Sequence, residues 1–390
     1  MIYVEKIKIH PDKELENRLY ELSNNSRFIF NFVMGESIKL GIKKPNKIHI
    51  RKLRDLYRSL LRDNKLTNKD GESLNEDFLN SLKNTPSQIS DLVVDDVFRA
   101  WSTLKKKDKP NFRKKSDAKN SFTLHKKNES TFKYTNGILT TVSKMQFKLN
   151  PKKLRFKLDA KDIKLINISK NTYGWYISIT REMPDDDLTL PKTGKNVGID
   201  WGIKAFTSDS DGEQIRFKDY VNYNRYVFKD KKLRFLQSKL SKKRNSNKEW
   251  KSSKRYSKLK LKIKYLYERL TNIRKDFLHH VSKYYVTNYD NIVIEDLKPR
   301  NMLKNHKLAR VISESMFYTL KVMLTYKCKF YGKELCLVDP KYTSQTCSCC
   351  GNQLETKLKL SERIFKCNDC DLEIDRDLNA SINIMNKAFN

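Results

Sequence analysis

Cys347-Ser348-Cys349-Cys350-Gly351, then Cys367-Asn368-Asp369-Cys370, then Asp375-Arg376-Asp377-Leu378-Asn379-Ala380 at the head of an apolar run: this stretch of a 390-residue chain decides how the rest is read. Sixteen residues separate Cys350 from Cys367. Two Cys-x-x-Cys knuckles at that spacing are the pattern of a four-thiolate zinc ribbon, each knuckle presenting two sulfurs at about 2.3 Å to a tetrahedral Zn²⁺. Cys347, Cys350, Cys367 and Cys370 are the expected ligands. Because protein fills all four positions, the zinc is expected to be structural and not catalytic. Disulfides or free buried thiols are the alternatives; disulfides need an oxidising compartment, and no basic-then-apolar leader points to one. Cys349 competes with Cys350 for the second place in its knuckle, but the two-residue gap from Cys347 and the following Gly351 favour Cys350. Cys328 and Cys336 lie outside the knuckles and read as core thiols.

Composition narrows the class of partner. The chain is long enough for about two to four domains with their own cores, and its hydrophobic content of 38% suits a globular protein. No run of eighteen apolar residues is present, so a membrane span is not expected and the protein is read as intracellular. Lys and Arg number 81 against 46 acids, a net charge of +35. Such a one-signed surplus repels itself unless a polyanion neutralises it, which points to nucleic acid and away from small-molecule substrates.

Outward from the ribbon, the chain divides by periodicity. Residues 2 to 9 read as one β-branched strand with no sequence neighbour to pair with. From Lys13 to about Leu104 the spacing is helical, with Thr85-Pro86-Ser87-Gln88 as a capping box leading into Ile89, Val93, Val97 and Trp101. Lys105 to Lys115 is a basic linker. Between about Ser121 and Glu182 the period is two: Gln146–Leu149, Leu154–Leu158 and Trp175–Thr180 alternate, and Asn136-Gly137 marks a hairpin turn. The segment is expected to form a small antiparallel sheet or barrel that the N-terminal strand completes, making the helical block an insertion. Lys229 to Lys264 holds sixteen Lys or Arg against two acids while keeping leucines at helical spacing, which predicts a helical hairpin with a basic, phosphate-facing surface. Lys242, Lys243, Arg244, Lys251, Lys254 and Arg255 are its candidate nucleic-acid contacts.

Three carboxylates stand in telling places. Asp200 sits in the apolar strand Asn196-Val197-Gly198-Ile199-Asp200, Glu295 ends the strand Asn291-Ile292-Val293-Ile294-Glu295, and Asp377 opens the final helix, chosen over Asp375 half a turn earlier. A lone carboxylate in an apolar strand is costly without a metal or partner. Together the three form the sparse constellation of an RNase H-like nuclease, which cleaves phosphodiesters with two Mg²⁺ ions about 3.5–4 Å apart held by hard oxygen ligands.

Gly198-Ile199-Asp200-x-Gly202, Ile292-Val293-Ile294-Glu295-Asp296-Leu297 with Met302 to Ala309 behind it, Thr343-Ser344-Gln345-Thr346-Cys347-x-x-Cys350-Gly351, and Cys367-x-x-Cys370 with Asp375-Arg376-Asp377-Leu378-Asn379-Ala380 together resemble the TnpB family. These are transposon-encoded RNA-guided DNA endonucleases related to the compact type V CRISPR effectors. The resemblance covers about residues 196 to 386; the N-terminal half matches in layout only. Asp371 stands where the family usually has Gly, and Ala380-Ser381 replaces Ala-Ala.

What the resemblance implies is a multidomain α+β chain: a wedge-type β-barrel (1–10 and 116–190) interrupted by a helical recognition lobe (11–115), a RuvC or RNase H-like nuclease domain (191–340 and 371–390), and an inserted zinc ribbon (341–370). It implies Asp200, Glu295 and Asp377 as Mg²⁺ ligands, structural Zn²⁺, a guide RNA as cofactor, and double-stranded target DNA cut beside a short flanking motif. The alternatives are a guide-independent transposase or resolvase, and a guided repressor that does not cut.

Overall fold

A computed structural model of the chain describes residues 1–42, 46–68, 71–104, 110–114, 120–184, 189–202, 205–246, 253–297, 317–356, 358 and 362–389. It divides into two compact units, Met1–Met183 and Pro184–Asn390. Most of the Lys105–Lys115 linker, the Met302–Ala309 motif and Lys251 lie outside the described residues.

In the first unit, strand β1 (Ile2–Ile9) is followed by four helices, α1 (Lys13–Lys39), α2 (Lys47–Arg62), α3 (Glu76–Lys83) and α4 (Ser87–Ser102). Asp12, Asn46 and Asn75 cap the first three through backbone amides that would otherwise be orphaned. Strands β2 (Ser121–His125), β3 (Phe132–Thr135), β4 (Ile138–Thr141), β5 (Gln146–Lys148), β6 (Ile163–Asn171) and β7 (Gly174–Glu182) complete it. They form an antiparallel sheet in the order β1-β7-β6-β2 and a smaller one in the order β3-β4-β5. The N-terminal strand finds its partner in β7, Ile2 opposite Glu182 through Ile9 opposite Trp175. Asn136 and Gly137 turn the β3–β4 hairpin with φ of 51° and 79°, as that dipeptide favours.

Two local expectations fail here. The predicted capping box does not form: helix α4 begins at Ser87 with no side-chain cap, because the Thr85 hydroxyl is taken by Ser81 O (3.0 Å) and Asn25 Nδ2 (2.9 Å). Leu154–Leu158 alternates but is not a strand. Its polar backbone is satisfied by side chains: Arg181 Nη1 donates to Lys157 O (2.8 Å) and Nη2 to Phe156 O (3.3 Å), while Arg155 N donates to Glu5 Oε1 (2.6 Å). Arg181 is buried and ion-paired with Glu5, so it takes the place of a neighbouring strand.

In the second unit the order is β8 (Asn196–Asp200), β9 (Thr207–Asp209), β10 (Gln214–Ile215), α5 (Phe217–Tyr220), α6 (Tyr223–Ser246), α7 (Lys254–Asn288), β11 (Asn291–Glu295), α8 (Phe317–Tyr331), β12 (Glu334–Val338), β13 (Ile364–Lys366), β14 (Glu373–Asp375) and α9 (Arg376–Phe389). Five strands make one sheet, β10-β9-β8-β11-β12, with β8, β11 and β12 parallel and β9 and β10 antiparallel. Parallel strands need long crossovers, and the α6–α7 pair and α8 lie in them. Val197, Ile199, Ile292 and Ile294 face Phe277, Leu278 and Val281 of α7 and Leu320 and Leu324 of α8. The opposite face takes α9.

One buried ion pair sets the start of all three parallel strands. Lys333 Nζ donates to Asp290 Oδ1 (2.6 Å) and to Pro191 O (2.7 Å), and Asp290 also accepts from the amides of Thr193 and Gly194. Asp290 N bonds Lys195 O and Glu334 N bonds Asp290 O, both at 2.8 Å. The lysine and these amides hold the Asp290 carboxyl well below the usual carboxylate range.

Candidate active site and metal centre

With the strand starts aligned, the strand ends align too. Ile199 pairs with Ile294, so Asp200 and Glu295 are the next residues on adjacent parallel strands and share a face. Gly198 lies on that face, and α9 crosses it so closely that a Cβ there would sit 2.1 Å from Ser381 O. No residue larger than glycine fits that crossing. Asp377 occupies the first turn of α9 and is buried. Asp375 has a different job: its Oδ1 accepts from Asp377 N (2.9 Å) and Leu378 N (3.2 Å), which caps the helix.

The electrostatics follow from burial and crowding. Asp200 is pushed up to about 7, first by burial and then by the charges of Glu295 and Asp377, against a hydrogen bond from Trp201 N (2.9 Å). Burial also raises Glu295, opposed by a 2.6 Å hydrogen bond from Thr343 Oγ1. Arg363 pairs with Asp377. Among the described residues the three carboxylates therefore converge without forming a cluster as tight as the cysteines.

Those cysteines fit a tetrahedral ion. The sulfurs of Cys347, Cys350, Cys367 and Cys370 all lie within 4.8 Å of one another, with Cys347–Cys370 at 3.6 Å and Cys350–Cys367 at 3.5 Å. A tetrahedron of sulfurs about 2.3 Å from zinc has edges of about 3.8 Å. Cys349 is exposed and outside the group. Asp369 N donates to Cys367 Sγ at 3.4 Å, a contact that favours the thiolate a metal needs. The β13–β14 hairpin carries the second knuckle, and Asp371, at φ 55°, takes the left-handed turn that explains the family preference for Gly there.

The basic hairpin forms as spaced: Leu233, Leu266 and Leu270 pack between α6 and α7 with Leu236 and Ile263. Lys242, Arg244, Lys254 and Arg255 are exposed and Lys243 half-buried.

Two family models match this half of the chain: OrfB_IS605, a probable transposase, over residues 178–306, and the TNB domain of Cas12f1-like proteins over 317–384. These matches make the chain similar to the TnpB family. It is 34% identical over 276 residues to a putative RNA-guided DNA endonuclease of Streptomyces pristinaespiralis, covering 70% of this chain and 63% of that protein. It is 29% identical over 324 residues to the putative RNA-guided DNA endonuclease InsQ of Escherichia coli, covering 78% of this chain and 75% of that one. The chain thus spans under two thirds of the first relative's length and three quarters of the second's. A solved Cas12f1 complex with single guide RNA and target DNA is similar in fold, with a TM-score of 0.57 at 15% identity over 100% of this chain and 99% of that one. The multidomain α+β fold of this chain is therefore similar to that of the Cas12f1 protein. No helix among the described residues is long and apolar enough to cross a membrane.

Four further residues meet the carboxylates or the strap before Cys347: Thr343 bonds Glu295, Arg363 pairs with Asp377, Asn379 bonds Thr346 and Ser348, and Asn383 bonds Thr343 and Thr346. Thr343 and Asn379 lie inside the family motifs; nothing in the sequence marks Arg363 or Asn383.

Proposed function

We propose that this chain is an RNA-guided DNA endonuclease of TnpB type, cutting target DNA beside a short flanking motif by metal-assisted phosphodiester hydrolysis. The observation that carries the reading is that Asp200 and Glu295 end the adjacent parallel strands β8 and β11, with Asp377 in the first turn of α9 near enough to raise the Asp200 carboxyl, in a chain similar to the TnpB family. A central β8 flanked by β9 and β11, with helices on both faces, supports an RNase H-like core of the RuvC type, assigned to 191–340 and 371–390. The zinc ribbon is assigned to 341–370, with Zn²⁺ held by Cys347, Cys350, Cys367 and Cys370. The wedge-type barrel is assigned to 1–10 and 116–190 and the recognition lobe to 11–115.

Asp200, Glu295 and Asp377 would hold two Mg²⁺ ions, which when bound activate water and stabilise the leaving oxygen. Hard carboxylate oxygens suit that ion. Asp200 would serve as a ligand in its deprotonated form, and Asp377, which pairs with Arg363 in the metal-free chain, would supply the third carboxylate. Lys242, Lys243, Arg244, Lys254 and Arg255 neutralise phosphates of guide RNA or target DNA, with Lys251 assigned the same role from sequence. Sequence recognition falls to base pairing, and the protein holds the heteroduplex by its backbone.

The test is sequencing of the small RNA that co-purifies when the gene is expressed with its native flanking DNA. A discrete RNA with a constant scaffold and a variable end is expected. No enriched RNA, together with specific binding of DNA ends by RNA-free protein, would instead mark a guide-independent transposase or resolvase.

A further inference from the structure

Thr343 lies four residues before Cys347, and its side chain is buried. Its hydroxyl oxygen is 2.6 Å from Glu295 Oε1 and 3.2 Å from Pro340 O. A hydroxyl carries one proton, and the closer, charged acceptor takes it. The backbone beneath is held from two sides. Tyr342, at φ 64°, closes a turn in which Gln345 N and Thr346 N both donate to its carbonyl at 3.0 Å. From α9, Asn383 Nδ2 donates to Thr343 O (2.9 Å) and Thr346 O (2.7 Å), and Asn379 Nδ2 to Thr346 O (2.8 Å). Asn379 Oδ1 accepts from Ser348 N at 2.9 Å. The two asparagines, one turn apart and buried, thus grip the backbone on both sides of Cys347.

We infer that Thr343 is a positioning residue for the Glu295 carboxylate, and that Asn379 and Asn383 couple it to the zinc knuckle and to the helix bearing Asp377. The inference rests on the reading of Glu295 as a divalent-metal ligand. A single hydrogen-bonded path runs from Glu295 through Thr343 to the strap before Cys347, and from the strap through the asparagines into α9. The knuckle and two of the three carboxylates are therefore fixed by one another. Partners of this kind orient a ligating carboxylate, and losing one costs about 10–100-fold in metal affinity. Without the hydroxyl, Glu295 is free to rotate away from the site.

The experiment compares Thr343→Val, which keeps the shape and removes the hydroxyl, with Thr343→Ser, which keeps the hydroxyl. The full-length protein, freed of nucleic acid, is titrated with Mn²⁺ and read by the free-ion EPR signal. Zinc content and the Mn²⁺ concentration for half-maximal cleavage are measured on the same preparations. Thr343→Val is expected to keep its zinc, bind Mn²⁺ about 10-fold more weakly and need about 10-fold more for cleavage, with Thr343→Ser close to wild type. Wild-type behaviour of Thr343→Val, or equal damage in both variants, overturns the inference; so does zinc loss from both, which would make Thr343 part of the ribbon's own fold. Glu295→Gln separates the premise: if it binds Mn²⁺ and cuts like wild type, the metal-site reading itself has failed.

Discussion

The Asp200 carboxyl, pushed up to about 7, keeps a proton that the unfolded chain has already released. Between about pH 4 and pH 7 the folded state therefore binds more protons than the unfolded state, and metal-free stability falls as pH rises through that window. Asp200→Asn removes the penalty. It should stabilise the metal-free protein at pH 8 by about 2 kcal/mol and much less at pH 4, read as the difference in thermal midpoint between the two pH values. An equal effect at both would contradict the burial of this carboxyl. The same substitution should abolish cleavage and leave RNA binding near wild type, as the proposed metal-holding role of this carboxylate requires. In the wild type that proton would compete with a metal ion at Asp200, so cleavage should weaken as pH falls below about 7, measured at fixed Mg²⁺. Asp200 and Glu295 were legible in sequence because each closes a short apolar strand. The partner of Glu295 was not, because a bond to Thr343 forty-eight positions away depends on tertiary contact alone.

Elements tell the same story of what sequence carries. Strands β8 and β11 were legible as short apolar runs, and the α6–α7 hairpin as leucines spaced through lysines. Leu154–Leu158 misled because alternation reports which residues face inward, whereas its hydrogen bonds come from Arg181 and Glu5, far away in sequence. The crossing of α9 over β8 rests on one glycine. Gly198→Ala places a methyl against Ser381 O, a backbone atom that cannot rotate aside. A loss of about 3 kcal/mol is expected, on the high side of overpacking, with a fall in cleavage as Asp377 is displaced; an unchanged thermal midpoint would refute the close approach. Lys333→Met strands the Asp290 carboxylate at the strand starts and should cost about 3–5 kcal/mol in urea unfolding. Zinc removal belongs to this scale as well. Chelation, or Cys367→Ser, should unfold the ribbon and reduce cleavage together, with Cys349→Ser silent in zinc content.

For the whole molecule, a net charge of +35 calls for a polyanion. Its affinity for guide RNA should fall steeply between about 50 and 200 mM salt, and reversing Lys242, Arg244, Lys254 and Arg255 to Glu should flatten the slope. A slope unchanged by the reversal would move the nucleic-acid path elsewhere. The most direct test is cleavage of a plasmid library that carries the sequence complementary to the co-purified RNA beside a randomised flank. The account predicts that, with Mg²⁺, the wild-type protein cuts only matched plasmids and only those sharing one short flanking motif, while Asp200→Ala cuts none. Cutting that ignores the match, or an Asp200→Ala protein as active as wild type, would contradict it.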